Sequence, residues 1–566
     1  MTILRFSDRP QLPNADVCVV GSGPVGIALA LACEVQGLSV LLLESGGEPS
    51  DAMSASLSGA IIKNAETHAS MDIAVRRGLG GTSRWWGGRC VPFDDADFSP
   101  REWSEGKGWP LGHNEVRAWY DAAAEFLGCG PSVFRRPRSK ELASYGIDDA
   151  QLERWTPEID MRLRHGDALT RSSHICVVLG ATVTNLNFVP RGSEIESIEL
   201  ADAAGTATLP VQRCVIACGG LETTRLLLVA QRRKPDAFGG WGGPLGRGYM
   251  GHLSGKLAHI VFNDPGRAAD FDFKNDDGVY VRRRYTLTEP TLLRENLQNI
   301  AMWVDNPPFH DASHKNGLLS AVWLALSIPP LGRLIVPEGV RLAHVGSGRN
   351  NLSDHLKNLA GSPGKTLAGA WSILQDRFLQ KPPKPGFLIL NDGGRYALHF
   401  HAEQRAKPQS QVTLADACDA FGMPRLSIDF MFDLVDSESV VRAHEILDRG
   451  LRLSGEGRLE CSVPKLDRVD FVLRNGADGM HHIGTTRMGA SPRTSVVDAN
   501  CQVHGVENLF VASSSVFPSS GQANPTFLAV ALAIRLAAFL SGGNVESEPM
   551  GHLKCATFCR DTPTLG

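Results

Sequence analysis

A chain of 566 residues is long enough for more than one hydrophobic core. It is 43% hydrophobic and 21% charged, as expected of a globular protein, and 57 Lys/Arg against 61 Asp/Glu give a formal net charge of −4. That balance excludes an overall electrostatic pull toward nucleic acid or an anionic membrane.

The opening "MTILRFSDRPQLPNADVCVVG" has no basic segment followed by an apolar run, so no signal peptide is expected. No stretch reaches about 18 uninterrupted apolar residues, so no transmembrane helix is expected. The 12 cysteines are scattered without a C-x-x-C pair. Cys18, Cys33, Cys176, Cys214 and Cys218 sit in apolar runs, and the tail pair Cys555 and Cys559 is too isolated to read as a metal site. A reduced, cytoplasmic chain is expected.

From Asp16 the chain reads "DVCVVGSGPVGIALALACEVQGLSVLLLES". The pattern predicts a strand at 17–20, a turn, a helix at 24–36 and a second strand at 40–43. Gly21, Gly23 and Gly26 form G-x-G-x-x-G, and Glu44 ends the second strand. Gly21 suits the tight turn, Gly23 a close approach to pyrophosphate, and Gly26 helix–strand packing. The helix N-terminus favours phosphate, and Glu44 suits the ribose hydroxyls. This is a dinucleotide site, and the motif alone does not separate FAD from NAD.

A second glycine block follows, "RRGLGGTSRWWGGRCVPFDDADF" from Arg76 to Phe98. Glycine and hydroxyl residues present backbone N–H groups to ligand oxygens. Its tryptophans, Trp85 and Trp86, are large enough to argue against a surface turn. Further on, "ATVTNLNFV" (181–189) reads as an alternating strand, and "CVIACGG" leads from a buried strand into the helix of "GLETTRLLL".

Near the C-terminus, "ADGMHHIGTTRMG" (477–489) places His481 beside His482. Adjacent residues do not share a face, so at most one of them points at a given reacting centre. "NPTFLAVALAIRLAAFLSGG" then opens with Asn524 and Pro525, which read as N-cap and N1 of a helix. Capping alone explains Asn524 as a residue type.

Taken in order, these blocks resemble the glucose–methanol–choline (GMC) oxidoreductases. The resemblance rests on the fingerprint at 21–44, "GGTSRWWGG", "RCVIACGGLETTRLLL" (213–228), "LGRGYMGH" (245–252) and the block from His481 to about residue 539. It leans toward the pyranose oxidase and sugar dehydrogenase branch. It implies an α/β fold: a Rossmann-like FAD domain joined to an α+β substrate part with an antiparallel sheet. The implied division is 1–100 and 171–252 for FAD, 101–170 mixed, 253–460 for substrate, and 461–566 returning to the FAD part. The stretches "SIPPLGRLIVPEGVRLAHVGSG" (327–348) and "LQKPPKPGF" (379–387) are loop-rich in sequence, and residues 320–385 stand as a lid, an insertion or a partner-docking arm. Their apolar stretches lean slightly toward partner or membrane-surface contact.

The resemblance further implies cofactor contacts at Thr82, Ser83, Trp86, Gly87, Val183, Ser513, Pro525 and Thr526. Ser513 stands where the family often has aspartate. Trp85 matches the position of a histidine that in some relatives attaches the flavin, so non-covalent FAD is expected. The family's His-x-x-Gly-Thr pattern selects His481, with Asn524 as its partner. His481 suits removal of a hydroxyl proton, as a histidine general base, while hydride leaves for flavin N5. Electrons then pass to oxygen or another acceptor. His482 is expected to pack or to support the flavin edge. His399 and His401 are read as structural, with no metal site expected, and His252 has no assigned role. The expected reaction is oxidation of a CH–OH group of a sugar, glycoside or related alcohol. The alternatives are a non-redox lyase that keeps FAD structurally, an NAD-dependent dehydrogenase, and a flavoprotein subunit that needs an electron-transfer partner.

Overall fold

The computed structural model describes residues 2–47, 56–101, 108–138, 141–190, 192–336, 338–346 and 352–543. Cys555 and Cys559 lie outside the described residues.

Six parallel strands form the first sheet, in the order Thr2–Arg5, Ile175–Leu179, Val40–Glu44, Val17–Val20, Cys214–Ile216 and Leu509–Val511. The strands Val17–Val20 and Val40–Glu44 are buried on both faces, as their unbroken apolar runs require. The helix Pro24–Val35 covers one face and packs against the C-terminal helix Thr526–Leu540. Both are apolar nearly all round and buried. Ligands bind outside the carboxyl ends of such sheets where strand order reverses. Here that point lies between Val17–Val20 and Cys214–Ile216. The strand Thr2–Arg5, absent from the sequence reading, joins the sheet edge beside Ile175–Leu179.

A second six-stranded sheet is antiparallel, in the order Gly457–Glu460, His252–Phe262, Arg395–Glu403, Ile300–Asp305, Tyr285–Leu287 and Ile147–Asp148. The helix Leu434–Leu453 covers it, and its buried residues join the sheet's own core. Of the two loop-rich stretches, 379–387 is irregular past Leu379, as read, but the first is largely helical and belongs to a helical layer: Gly317–Ser327 packs against Pro329–Ile335, Glu338–Val345, Leu352–Gly361 and Pro363–Leu374. Proline and glycine there punctuate short helices instead of marking loops, which is why the sequence pattern misled. No single described helix is long and apolar enough to cross a membrane. Gly317–Ser327 and Pro329–Ile335 are apolar enough together but meet at a bend of 111°.

Candidate active site

One large cavity, of about 1380 Å³, runs from the carboxyl ends of the parallel sheet to the open face of the antiparallel one. That exceeds the usual span for a single small ligand, so it has room for a dinucleotide and a substrate. Its wall includes every predicted cofactor residue except Gly26, together with His481 and Asn524.

The three fingerprint glycines divide their work as the motif requires. A Cβ on Gly21 would lie 2.6 Å from the Ala217 carbonyl oxygen, and one on Gly26 only 1.9 Å from that of Gly21. A Cβ on Gly23, by contrast, would meet nothing within 4 Å and would stand in the cavity. The first and third glycines therefore serve packing, and the second leaves space for a ligand.

Side chains around the fingerprint are more committed to the protein than sequence suggests. Glu44 lines the cavity, but one carboxylate oxygen already accepts from the Ser22 N–H (3.0 Å) and hydroxyl (2.7 Å). The other accepts from the N–H groups of Gly46 and Gly78, both at 2.8 Å. A carboxylate has about four acceptor positions, so a ribose hydroxyl needs the Ser22 hydroxyl to turn away. Ser83 donates to the Gly80 carbonyl (2.5 Å) and accepts from Met161 N–H, so its hydroxyl holds the loop. Thr82 accepts from Arg76 N–H, and the Trp86 indole donates to the Ile159 carbonyl. Ser513 accepts from Ser515 N–H. For these residues the cavity is met by backbone and ring surface more than by free hydroxyls.

The double histidine resolves cleanly. Asp478 accepts from the N–H groups of Met480 (2.8 Å) and His481 (3.3 Å), which folds the turn that carries both rings. Gly484 follows with φ of 88°, and a Cβ there would lie 2.5 Å from the Gly248 carbonyl oxygen. The glycine is required because the chain passes so close to the Gly248–Met250 segment, where Met250 and Ile483 exchange backbone hydrogen bonds. Thr485 is buried and accepts from the Thr224 hydroxyl. The Gly-Thr of the motif is thus a docking element that presents His481.

His482 also borders the cavity, but its ring is buried and engaged by the protein. Its Nε2 bonds to the Gly479 carbonyl oxygen (2.9 Å), and burial, with His68 nearby, pushes its pKa down to about 4. His481 points into the cavity. Its Nδ1 donates to Asp478 Oδ2 (2.9 Å), which leaves Nε2 as an acceptor, and Asn524 Nδ2 donates to it at 3.0 Å. Burial opposes the charge on Asp478, but His481 and His252 beside it hold its pKa well below the ordinary value.

The expectation that Asn524 caps the last helix is corrected here. Pro525 is the N-cap, the helix begins at Thr526, and no side chain caps it. Asn524 spends its amide elsewhere: Nδ2 on His481, and Oδ1 on the Nε–H of Arg89 at 2.6 Å. Arg89 also donates to Glu153 (3.0 Å), which pairs with Arg282. Burial pulls the Arg89 pKa down to about 10. Burial disfavours the Glu153 charge, yet Arg282, Arg89 and Arg284 keep its pKa below normal. Arg89 was missed in sequence because "GGRC" reads as loop punctuation.

Three histidines gather at this point. His252 Nδ1 lies 3.1 Å from His481 Nδ1, while its Nε2 bonds to the Ser520 carbonyl oxygen. His401 stacks on His252 with centroids 4.1 Å apart and bonds to the Gln522 carbonyl oxygen. One nitrogen from each of His252, His401 and His481 falls within 4.8 Å of the others. Burial lowers the pKa of both His252 and His401, so they surround His481 as neutral rings. His399 stacks on Trp303 at 4.5 Å and lines the cavity. The alternation of His399 and His401 showed a shared strand face, but only the fold brings in His252 from the adjacent strand.

A family model described as FAD dependent oxidoreductase matches residues 16–306, and one described as GMC oxidoreductase matches residues 406–533. The chain is an FAD-dependent oxidoreductase of the GMC family. Paromamine 6'-oxidase of Streptomyces fradiae is 23% identical over 583 residues, covering 94% of this chain and 92% of its own. C-glycoside 3-oxidase of Arthrobacter globiformis is 40% identical over 118 residues, 21% of each chain. Pyranose 2-oxidase of Tricholoma matsutake is 40% identical over 121 residues, 21% of this chain and 20% of its own. Among solved structures, a formate oxidase covers 94% of this chain and 99% of its own at 15% identity, with a TM-score of 0.51, a likeness of fold.

FAD fits this GMC oxidoreductase on its own geometry. The space above Gly23 is open, the N-terminus of Pro24–Val35 faces it, and the Nε of Arg76 on the wall is buried without a partner. Backbone N–H groups and an unpaired guanidinium nitrogen are what a pyrophosphate needs.

Proposed function

We propose that this enzyme oxidises a CH–OH group of a sugar, glycoside or related alcohol to a carbonyl, with His481 as the base. The observation that carries this reading is the Asp478–His481–Asn524 chain on the cavity wall. A substrate hydroxyl that enters between His481 Nε2 and Asn524 Nδ2 donates its proton to the first and accepts from the second. Asp478 holds the Nδ1–H tautomer and stabilises the imidazolium that forms. Arg89 fixes the Asn524 amide with its donor toward the substrate, as its bond to Oδ1 leaves only Nδ2 to face His481. Bound FAD supplies the acceptor for the hydride that leaves the carbon, and oxygen or another acceptor takes the electrons onward.

The sugar and glycoside assignment is supported by the names of the relatives. It is also supported by polar and aromatic groups on the substrate side of the cavity, among them Trp303, His399 and Ser254. Non-covalent FAD is supported by Trp85 on the wall, whose indole stacks under Arg76 and offers no nucleophilic nitrogen for attachment. Reduced cysteines, ten of them free among the described residues, suit a cytoplasmic location.

Anaerobic mixing of the yellow enzyme with a panel of sugars, glycosides and simple alcohols tests the reading. At least one sugar or glycoside should bleach the flavin absorbance and yield a carbonyl product. A flavin that stays oxidised with every member while a cyanohydrin is cleaved would place the chemistry with the lyases. Acid precipitation should release the flavin into the supernatant; flavin retained in the pellet would contradict non-covalent binding.

A further inference from the structure

We propose that the helical cap at 317–379 seats on an anionic lipid bilayer, with the mouth of the active-site cavity facing the lipid. Among the described residues, 12 of the 23 exposed large hydrophobic side chains fall between 328 and 390, about a ninth of the chain. They form outward stripes at helical spacing. Leu331 and Leu334 share a face of Pro329–Ile335, and Leu352 and Leu356 one of Leu352–Gly361. Leu367, Trp371, Leu374 and Phe378 run along Pro363–Leu374 and the turn after it. Leu334 is 78% exposed, Leu367 72% and Trp371 58%. The core beneath is small, centred on Phe309, Leu319, Trp323 and Leu326. A helical layer with apolar stripes on both sides has a second apolar neighbour to meet.

Charge selects the occupant. Residues 310–390 hold nine Lys/Arg against four Asp/Glu, which gives the segment +5 and the rest of the chain −9. Lys315, Lys365 and Lys381 are exposed and have no carboxylate in ion-pair range among the described residues. Apolar side chains flanked by unpaired cations, with a tryptophan among them, match a surface-lying helix layer on anionic lipid. A two-fold contact between copies would set one basic segment against another. Contact with the remaining surface of another copy would be head-to-tail and would build rings or open chains, which light scattering would detect. Leu374 and Phe378 are both exposed and part of the cavity wall, so the cavity opens at the edge of this face.

Flotation of the FAD-loaded enzyme with phosphatidylcholine vesicles and with phosphatidylcholine–phosphatidylglycerol vesicles tests this. The enzyme should float with the anionic vesicles, at least about tenfold better than with neutral ones, and should be released by high salt. Leu334→Glu/Leu367→Glu/Trp371→Glu and, separately, Lys365→Glu/Lys381→Glu should each lose about tenfold in binding at unchanged flavin content and melting temperature. Failure of the wild type to float with either vesicle would overturn the proposal. So would equal, salt-insensitive binding to both, or binding that the apolar triple variant leaves intact. A wild-type dimer in light scattering that the triple variant disperses would assign the face to a second copy instead.

Discussion

Asp478→Asn tests how the base is held. In the wild type, the carboxylate accepts the His481 Nδ1–H at 2.9 Å and is itself almost fully buried. A hydrogen bond to a charged group contributes about 1.5–3 kcal/mol, so loss of the charge alone costs roughly 10- to 150-fold. The amide adds a second penalty. Its NH₂ can donate to His481 Nδ1, which moves the ring proton to Nε2 and removes the acceptor that faces the cavity. The same exchange in a serine-protease triad costs about 10⁴ in kcat. We expect the first-order rate of flavin reduction at saturating substrate to fall by about 10²–10⁴, with flavin content unchanged. Asp478→Glu should recover part of the loss. Stopped-flow absorbance under anaerobic conditions reads the rate directly. A rate for Asp478→Asn within threefold of wild type, with FAD bound, would refute the assignment of Asp478 as the orienting group.

Arg89→Met frees the Asn524 amide, while Glu153 keeps Arg282 as a partner. Flavin reduction should slow by about 10–10², equivalent to one misplaced hydrogen bond to a charged group, and measured substrate affinity should change less than the rate. Gly23→Val should leave the apoprotein's melting temperature nearly unchanged and abolish FAD retention on gel filtration, because its side chain enters open cavity space. Gly21→Val should instead lower the melting temperature, because its Cβ meets backbone at 2.6 Å. His165, His444 and His482 are buried, and burial lowers each to about 4. In the unfolded chain they take up protons near pH ~6.5. Their contribution to stability is therefore full above that pH and is lost as pH falls from ~6.5 through 4. Unfolding at pH ~5 should take up protons, up to about three from these rings; denaturant melts across this window that show no acid loss would contradict it.

The nucleotide half was legible because its constraints are local. Gly21, Gly23 and Gly26 sit within six residues of one another; Gly21 and Gly26 are fixed by close backbone contacts that the strand–turn–helix pattern already implies, and Gly23 leaves the open space that the same pattern implies for a ligand. His481 was legible through Gly484 and Thr485, whose tight docking sets the register of the turn. The groups that complete the site were not. Arg89 and Asn524 are 435 positions apart, and His252 and His401 meet only through strand pairing. Asn524 was ambiguous because its residue type and the following proline satisfy a helix start; the structure moves the cap to Pro525 and sends the amide to His481. The charge of the cap was hidden by averaging, since a net −4 is the sum of a basic segment and an acidic remainder. Its helices were hidden because Pro329, Pro363 and several glycines interrupt every run before a long helical period develops.

Whether His481, and not its neighbour, takes the substrate proton is read from anaerobic flavin reduction in His481→Ala and His482→Ala, with a substrate that bleaches the wild type. The rate should fall by about 10²–10⁴ for His481→Ala and by less than about tenfold for His482→Ala, with FAD bound in both. Equal losses, or a larger loss for His482→Ala, would contradict it.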